Sequence, residues 1–430
     1  MSAAGRPGRA APTGPRLRPA PEHPDAQAPP VVDADGLVAL LERVGAAGRY
    51  GFDTEFHREK TYWPQLALLQ FSWREGPDTR AALVDPLAVP VGPLTGLLGG
   101  PATLVAHAAD QDLEILQHEC GTGPGRLFDT QIAAGFAGHG SASLATLTRI
   151  YLGYDLPKGD RLTDWSARPL QESQRRYAVA DVAHLLDLEE AIREDLDRRG
   201  RLAWAEQECE LLRLRAARPA EPDRAWWRLR DARQLRGPSR GVAQALAAWR
   251  EARARRIDVP LRYVLPDLAI QALAHKPPTE RAQLASVRGL DARFLRGDAG
   301  DEIFAAVQEG RRLPAGAIQD PPGDEVPREV RPAVALAMAW LGQLARQEDL
   351  DLVVLATRGD VVDLLADRGG RLAEGWRADL VGEPLRRLVG GTAAVAFDGA
   401  GGLALEERSY QPLKPGGPAA GGGPPPGAAG

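Results

Sequence analysis

The sequence predicts an α/β layer domain in its first half and all-helical domains behind it. Three observations carry this. Three short runs with strand character stand close together between residues 49 and 86, separated by Gly, Pro and Asp. Helical periodicity takes over from Asp112. Two Pro-rich stretches, residues 218–223 and 314–327, cut the helical part into blocks. A chain of 430 residues is also too long for one ordinary domain, and length alone suggests about three.

Residues 1–30 are rich in Pro, Ala and Arg, with no acid before Glu22, and read as a disordered tail. They lack the apolar core of a secretory signal. Periodicity becomes regular at Val31, and Gly36–Val44 has the spacing of an amphipathic helix. Arg49–Phe56, Leu66–Trp73 and Ala81–Pro86 follow as strands, and their short gaps predict antiparallel hairpins. Leu104–His107 is a further short apolar strand, with helical spacing behind it over Asp112–His118. From there to about Ala217 the chain is mostly helical, so the first domain is expected over 31–217. A second helical block is expected over 224–312, where basic residues outnumber acidic ones. A third spans 332–407 and is acidic to neutral. Residues 412–430 are Gly/Pro/Ala low-complexity sequence and read as a disordered tail.

Composition excludes several classes. With 44% hydrophobic and 26% charged residues this is an ordinary globular balance. A net charge of −5 rules out a general polyelectrolyte, so any contact with nucleic acid must come from a local basic patch. Cys120 and Cys209 are too few for a disulfide framework or a cysteine zinc site, and they fit a reducing, cytoplasmic setting. No apolar run approaches the length of a membrane span.

Chemistry concentrates in three segments. Asp53 and Glu55 are two apart on an expected strand, so both point to one face. Asp110 and Asp112 open a helix after His107. Tyr177 and Asp181 are four apart on a helix and share one stripe. Converging carboxylates repel one another unless cations neutralise them, and hard oxygen donors of this kind suit Mg²⁺ or Mn²⁺. Two such ions serve both the attacking and the leaving oxygen of an in-line phosphoryl displacement. A phenol is a poor base, so Tyr177 would orient the attacking water. Each piece also has an ordinary reading. Asp-x-Glu is common, Tyr-x-x-x-Asp is usually a solvated pair, and Asp112 alone is a first-turn helix residue. Acid counting does not separate Asp110 from Asp112. His107 reads as structural, Asp129 as a helix cap, and Trp165 as a core residue.

The joint occurrence of Asp53-x-Glu55, Asp112-Leu-Glu and Tyr177-x-x-x-Asp181, in this order, resembles the ribonuclease D family of DEDD 3′-to-5′ exonucleases. Thr61–Gln70, Phe128–Gln131 and Leu162–Leu170 strengthen the likeness, which covers roughly residues 31–215. The resemblance implies a ribonuclease H-like α/β domain in which Asp53, Glu55, Asp112 and Asp181 ligate two divalent ions, Mg²⁺ or Mn²⁺, beside Tyr177. It selects Asp112 over Asp110, because the family's acid stands directly before Leu-Glu. The implied activity releases 5′-mononucleotides from RNA with a single-stranded 3′ end, as in tRNA 3′ maturation, with no obligate protein partner. Lys158 and Arg161 are candidate phosphate contacts. Residues 224–312 resemble the HRDC domain, a small helical nucleic-acid-binding module, at Trp249-Arg250 and Val264–Asp267. Arg250, Arg253, Arg255 and Arg256 crowd two turns of its first helix, and Arg250, Arg253 and Arg256 are candidate contacts to nucleic acid. The third block resembles the HRDC-like repeat of the same proteins more weakly. Two competing readings remain at this point, a 3′-to-5′ DNA exonuclease and a non-catalytic RNA-binding scaffold.

Overall fold

The computed structural model of the protein describes residues 18–157, 163–218, 221–319, 321 and 328–408. The chain divides into two compact units, Met1–Glu325 with Gln347–Val354, and Val326–Arg346 with Leu355–Gly430.

The first unit begins with β1 (Arg18–Pro19) and α1 (Ala34–Ala46), followed by β2 (Arg49–His57), β3 (Gln65–Glu75), β4 (Asp78–Val84), β5 (Thr103–Ala106), α2 (Asp110–Cys120) and β6 (Arg126–Asp129). Strands β2 to β6 make one five-stranded sheet in the order β4-β3-β2-β5-β6. The expected hairpins are present, with β3 antiparallel to both β2 and β4. Beyond β2 the sheet turns parallel, through β5 and β6. The inner strand β3 is buried along nearly its whole length because helices cover both faces, which is why its sequence is apolar without alternation. On one face α1 buries Leu37, Leu40, Leu41 and Val44, its start fixed by Asp33, whose carboxylate accepts from Gly36 N at 2.8 Å. On the other, α3 (Glu172–Ala183) contributes Ala178, Val179 and Ala183 to a core shared with Leu68 and Leu83. Gly51 permits this approach. A Cβ there would collide with the Ser72 hydroxyl, which donates to Val182 O at 2.7 Å. α4 (Leu185–Arg198) and α5 (Leu202–Ala216) complete the layer.

Two features of this first domain depart from expectation. The four-residue strand β6 is too short for its alternation to be read from sequence. Residues 18–30 were expected within a disordered tail, yet β1 pairs in parallel with β7 (Tyr154–Asp155). Asp25 then accepts from Arg80 and from Ala81 N, and His23 Nε2 meets Thr79 O at 3.0 Å. A Pro-rich segment with no core of its own is ordered by backbone and charge partners supplied from far along the chain. The expected tail at 412–430 lies outside the described residues.

The helical block of the first unit is built on α6 (Pro238–Ile257), α7 (Asp267–His275) and α8 (Ala299–Arg312), packed around Trp226, Leu246, Ile270 and Val307. In the second unit α9 (Arg331–Gln347) and α10 (Arg358–Leu365) precede an antiparallel pair, β8 (Ala393–Phe397) and β9 (Leu403–Glu407). The third block was expected to be all helical. Its end is instead a hairpin, because the Asp398 carboxylate accepts from the Ala400 and Gly402 amides and closes a Gly-rich turn between two alternating runs. Among the described residues no helix is long and apolar enough to cross a membrane.

Candidate active site

Strand β2 turns Asp53 and Glu55 to one side, and α3 brings Asp181 to meet them. Carboxylate oxygens of these three residues lie within 4.8 Å of one another. Tyr177, one turn earlier on α3, is hydrogen-bonded to Asp181. Asp112 approaches from the first turn of α2. Pairing of β2 with β5 stops at Gly51, so the strand edge beyond it is open, and the Thr54 hydroxyl donates to Asp112 Oδ1 at 2.5 Å. Asp112 is buried, whereas Asp110 is exposed and paired with Arg215 at 2.6 Å. The two acids that sequence counting left equivalent thus point in opposite directions from one helix.

The electrostatics of the cluster are those of anions crowded in a low-dielectric site. Burial, followed by the charges of Asp112, Asp181 and Glu55, holds the Asp53 carboxyl well above the usual carboxylate range. Burial, then Asp181 and Asp112, push Glu55 up to about 8. Asp112 is raised by burial to about 7, with the Thr54 hydrogen bond pulling the other way. Tyr177 is raised by burial first and then by Asp181 and Glu55, so it stays a neutral phenol at physiological pH.

Sequence reasoning missed a supporting residue. Gln70 is wholly buried on β3, directly across from Asp53 in the ladder. With its amide oriented to satisfy its neighbours, the nitrogen donates to Ala178 O at 2.8 Å and to Asp53 Oδ2 at 3.2 Å. It ties the first acid to the helix that carries the last. The available signal was a lone amide inside the apolar run Leu66–Phe71. A cavity of about 880 Å³ opens onto the cluster, with Asp53, Tyr177, Asp181, His107, Gln131 and Arg149 in its walls. His107 was expected to be structural. It does bond Thr130 through Nδ1, at 3.0 Å, but its ring also faces this cavity.

Trp165 is buried beside Tyr177, their ring centroids 6.1 Å apart. Asp129 caps the short helix Thr130–Gly135, accepting from Gln131 N and Ile132 N, as its sequence context predicts. Lys158 and Arg161 lie outside the described residues. Among the arginines expected to meet nucleic acid, Arg250 needs correction. Arg250 is turned inward, 5% exposed, and donates to Leu265 O at 2.9 Å and to Asp267 at 2.6 Å. A buried guanidinium must be paired, and here it braces the start of α7 and leaves no face for a phosphate. Arg253 is likewise committed, to Glu302 at 2.6 Å and Asp298 at 3.1 Å. Arg256 meets Glu302 at 3.3 Å and is the one of the three that keeps most of its side chain in solvent.

Residues 30–197 match the 3′-5′ exonuclease family, and residues 239–307 match the HRDC domain. The chain is 35% identical over 396 residues to the ribonuclease D of Acidiphilium cryptum, spanning 89% of this chain and 98% of that one. It is 36% identical over 375 residues to the ribonuclease D of Jannaschia sp., spanning 86% and 97%. Among solved structures it is similar to Escherichia coli RNase D, an exoribonuclease involved in structured RNA processing. That match has a TM-score of 0.74 and 31% identity, and covers 84% of this chain and 98% of the other.

Proposed function

The chain belongs to the ribonuclease D family and is a 3′-to-5′ exoribonuclease, and we propose that it releases 5′-mononucleotides from unpaired RNA ends by two-metal-ion hydrolysis. The observation that carries this reading is the convergence of Asp53, Glu55 and Asp181 within 4.8 Å, with Asp112 beside them. The donor set fits the ions. All the groups are carboxylates, the natural ligands of Mg²⁺ and Mn²⁺, and burial, with mutual repulsion at Asp53 and Glu55, raises Asp53, Glu55 and Asp112 above the usual range, so that a bound cation would favour their ionised forms. Asp53, Glu55, Asp112 and Asp181 would hold the two ions. When bound, the ions supply Lewis acidity at the phosphate, a more acidic water, and charge stabilisation at the leaving 3′ oxygen.

The chain's own residues do the rest. Tyr177, kept protonated, offers a hydroxyl that orients the attacking water and does not take its proton. Gln70 holds Asp53 against α3, and Thr54 holds Asp112 at the open edge of β2. Gln70→Leu is expected to lower turnover by about 10- to 100-fold, in the range typical of second partners of metal ligands, and to raise the Mg²⁺ concentration needed for half activity. Titrating activity against Mg²⁺ alongside the melting temperature checks this. A lower melting temperature with an unchanged Mg²⁺ requirement would reduce Gln70 to a packing residue.

An unpaired end suits the site because a single strand reaches the acids without melting a duplex. Precursors of tRNA, with Mg²⁺ or Mn²⁺ as the ion, are the proposed substrate and cofactor, and the free cysteines support a cytoplasmic setting. The test is product analysis with 5′-labelled single-stranded RNA and its DNA counterpart, in Mg²⁺, Mn²⁺ or EDTA. A metal-dependent ladder shrinking from the 3′ end, on RNA well before DNA, is expected. Equal decay of DNA would move the assignment to a DNA exonuclease, and tight binding with no cleavage would leave a scaffold.

A further inference from the structure

Helix α2 presents two different faces. Its buried side carries Asp112 to the catalytic cluster, while Asp110, Glu114 and His118 fall on the opposite stripe and border a groove of about 1360 Å³. The far wall of the groove is α6 with the Pro260–Arg262 turn of the helical domain, and Thr61–Trp63 lie between. None of these residues belongs to the acid cluster, and the groove is larger than the cavity that opens onto it.

Two properties set this groove apart. The first is a built aromatic stack. The His118 and Trp63 rings lie 4.1 Å apart and 6° from parallel, Tyr62 meets Trp63 edge-on at 4.9 Å, and the Arg255 guanidinium sits 5.5 Å and 5.9 Å from the Tyr62 and Trp63 rings. Both domains hold it. The Asp258 carboxylate at the end of α6 accepts from the Tyr62 and Trp63 amides at 3.1 Å and 3.0 Å, and the Tyr62 hydroxyl donates to Glu251 at 2.6 Å. His118 itself is exposed, so its outer ring face is open to solvent.

The second property is an excess of positive charge, six arginines against Glu59, Asp110, Glu114 and Glu251. Arg58, Arg215, Arg218, Arg228, Arg255 and Arg262 line the groove. Arg58 is held bidentate by Glu114, Arg215 by a single bond to Asp110, and Arg228 and Arg255 each lie 3.5 Å from Glu251, but Arg218 and Arg262 are exposed and have no carboxylate partner among the described residues. In a chain of net charge −5, this concentration of arginine is a local feature. Arginines that follow a backbone, beside aromatic faces that accept any base, are what sequence-tolerant recognition of a single strand requires. A duplex keeps its base faces covered and has nothing to offer the stack.

We propose that this groove is a second RNA subsite, taking single-stranded nucleotides on the 5′ side of the one being removed. A base stacks on the open face of His118, over Trp63, and Arg218 and Arg262 take phosphates. The inference rests on the exoribonuclease reading, since the terminal nucleotide occupies the acid cluster and every further nucleotide of that strand lies 5′ to it.

The experiment measures binding of the full-length protein to a fluorescent single-stranded RNA of about 20 nucleotides, in EDTA so that no cleavage intervenes. The variants are His118→Ala and Arg262→Glu, two exposed positions that the core does not need. Each is expected to weaken affinity by about tenfold, the scale of one stacked base or one reversed phosphate contact, and Arg262→Glu to flatten the dependence on salt. A duplex RNA of the same length is expected to bind more weakly and to be insensitive to His118→Ala. Wild-type affinity in both variants overturns the proposal, as does a duplex that binds as well and responds equally. Metal-dependent cleavage is assayed separately. Its absence, with binding as expected, would count against the catalytic reading and leave the groove standing.

Discussion

Asp181→Asn and Asp112→Asn are each expected to reduce RNA hydrolysis by about a thousandfold or more, the scale of losing preorganised charge at a reacting phosphate. Both substitutions keep side-chain shape and remove one negative charge that raises Asp53 and Glu55. The fold should therefore tolerate them, and the amide oxygen that replaces the Asp112 carboxylate can still accept from Thr54. RNA binding in EDTA should stay close to wild type. Asp110→Asn is the matched control. It lies two residues away on the same helix, exposed and paired with Arg215, and should change turnover by less than about twofold, as surface substitutions do. Single-turnover cleavage of a labelled RNA separates the outcomes. An inactive Asp110 variant beside an active Asp112 variant would refute the assignment of the third acid.

The metal-free protein is expected to become less stable as the pH rises from about 5 to about 8. Glu55 is pushed up to about 8 by burial and its acidic neighbours, and Asp112 to about 7 by burial. In the unfolded chain both ionise near the ordinary value of about 4. Between those limits the folded state holds protons that the unfolded state has released, so unfolding becomes easier with every rise in pH. The stabilisation is complete below the unfolded values and is lost as the pH passes through the folded ones. Millimolar Mg²⁺ should reverse the trend, raising the melting temperature by about 5 °C or more at pH 8 and very little at pH 5. Glu55→Gln should flatten both curves. Melting temperature against pH, with and without Mg²⁺, tests this. A metal-free protein that gained stability across the window, or showed no response to Mg²⁺ at pH 8, would mean that these carboxylates do not form a cation site.

Much of this molecule was legible from local spacing. A period of two puts Asp53 and Glu55 on one side of β2, and a separation of four puts Tyr177 and Asp181 on one stripe of α3. Both are consequences of backbone geometry that no distant residue changes. Asp129 as a cap and the β2-β3-β4 hairpins were readable for the same reason, since partner and signal lie within a few residues of each other. Burial was not readable in this way. Arg250 and Arg256 look alike in sequence, but Leu265 O and Asp267 take the first inward, while the second stays at the surface.

The identities and order of the acids, the strand and helix that bear them, and the division into a catalytic and a helical domain follow from the chain read residue by residue. They depend on interactions between near neighbours. Which acid of α2 is buried, which amide steadies Asp53, which arginines stay free, and how Tyr62 comes to rest on Glu251 were decided only when segments far apart in the chain packed together. A side chain's environment is made by whatever the fold brings against it, and Tyr62 and Glu251 are 189 residues apart.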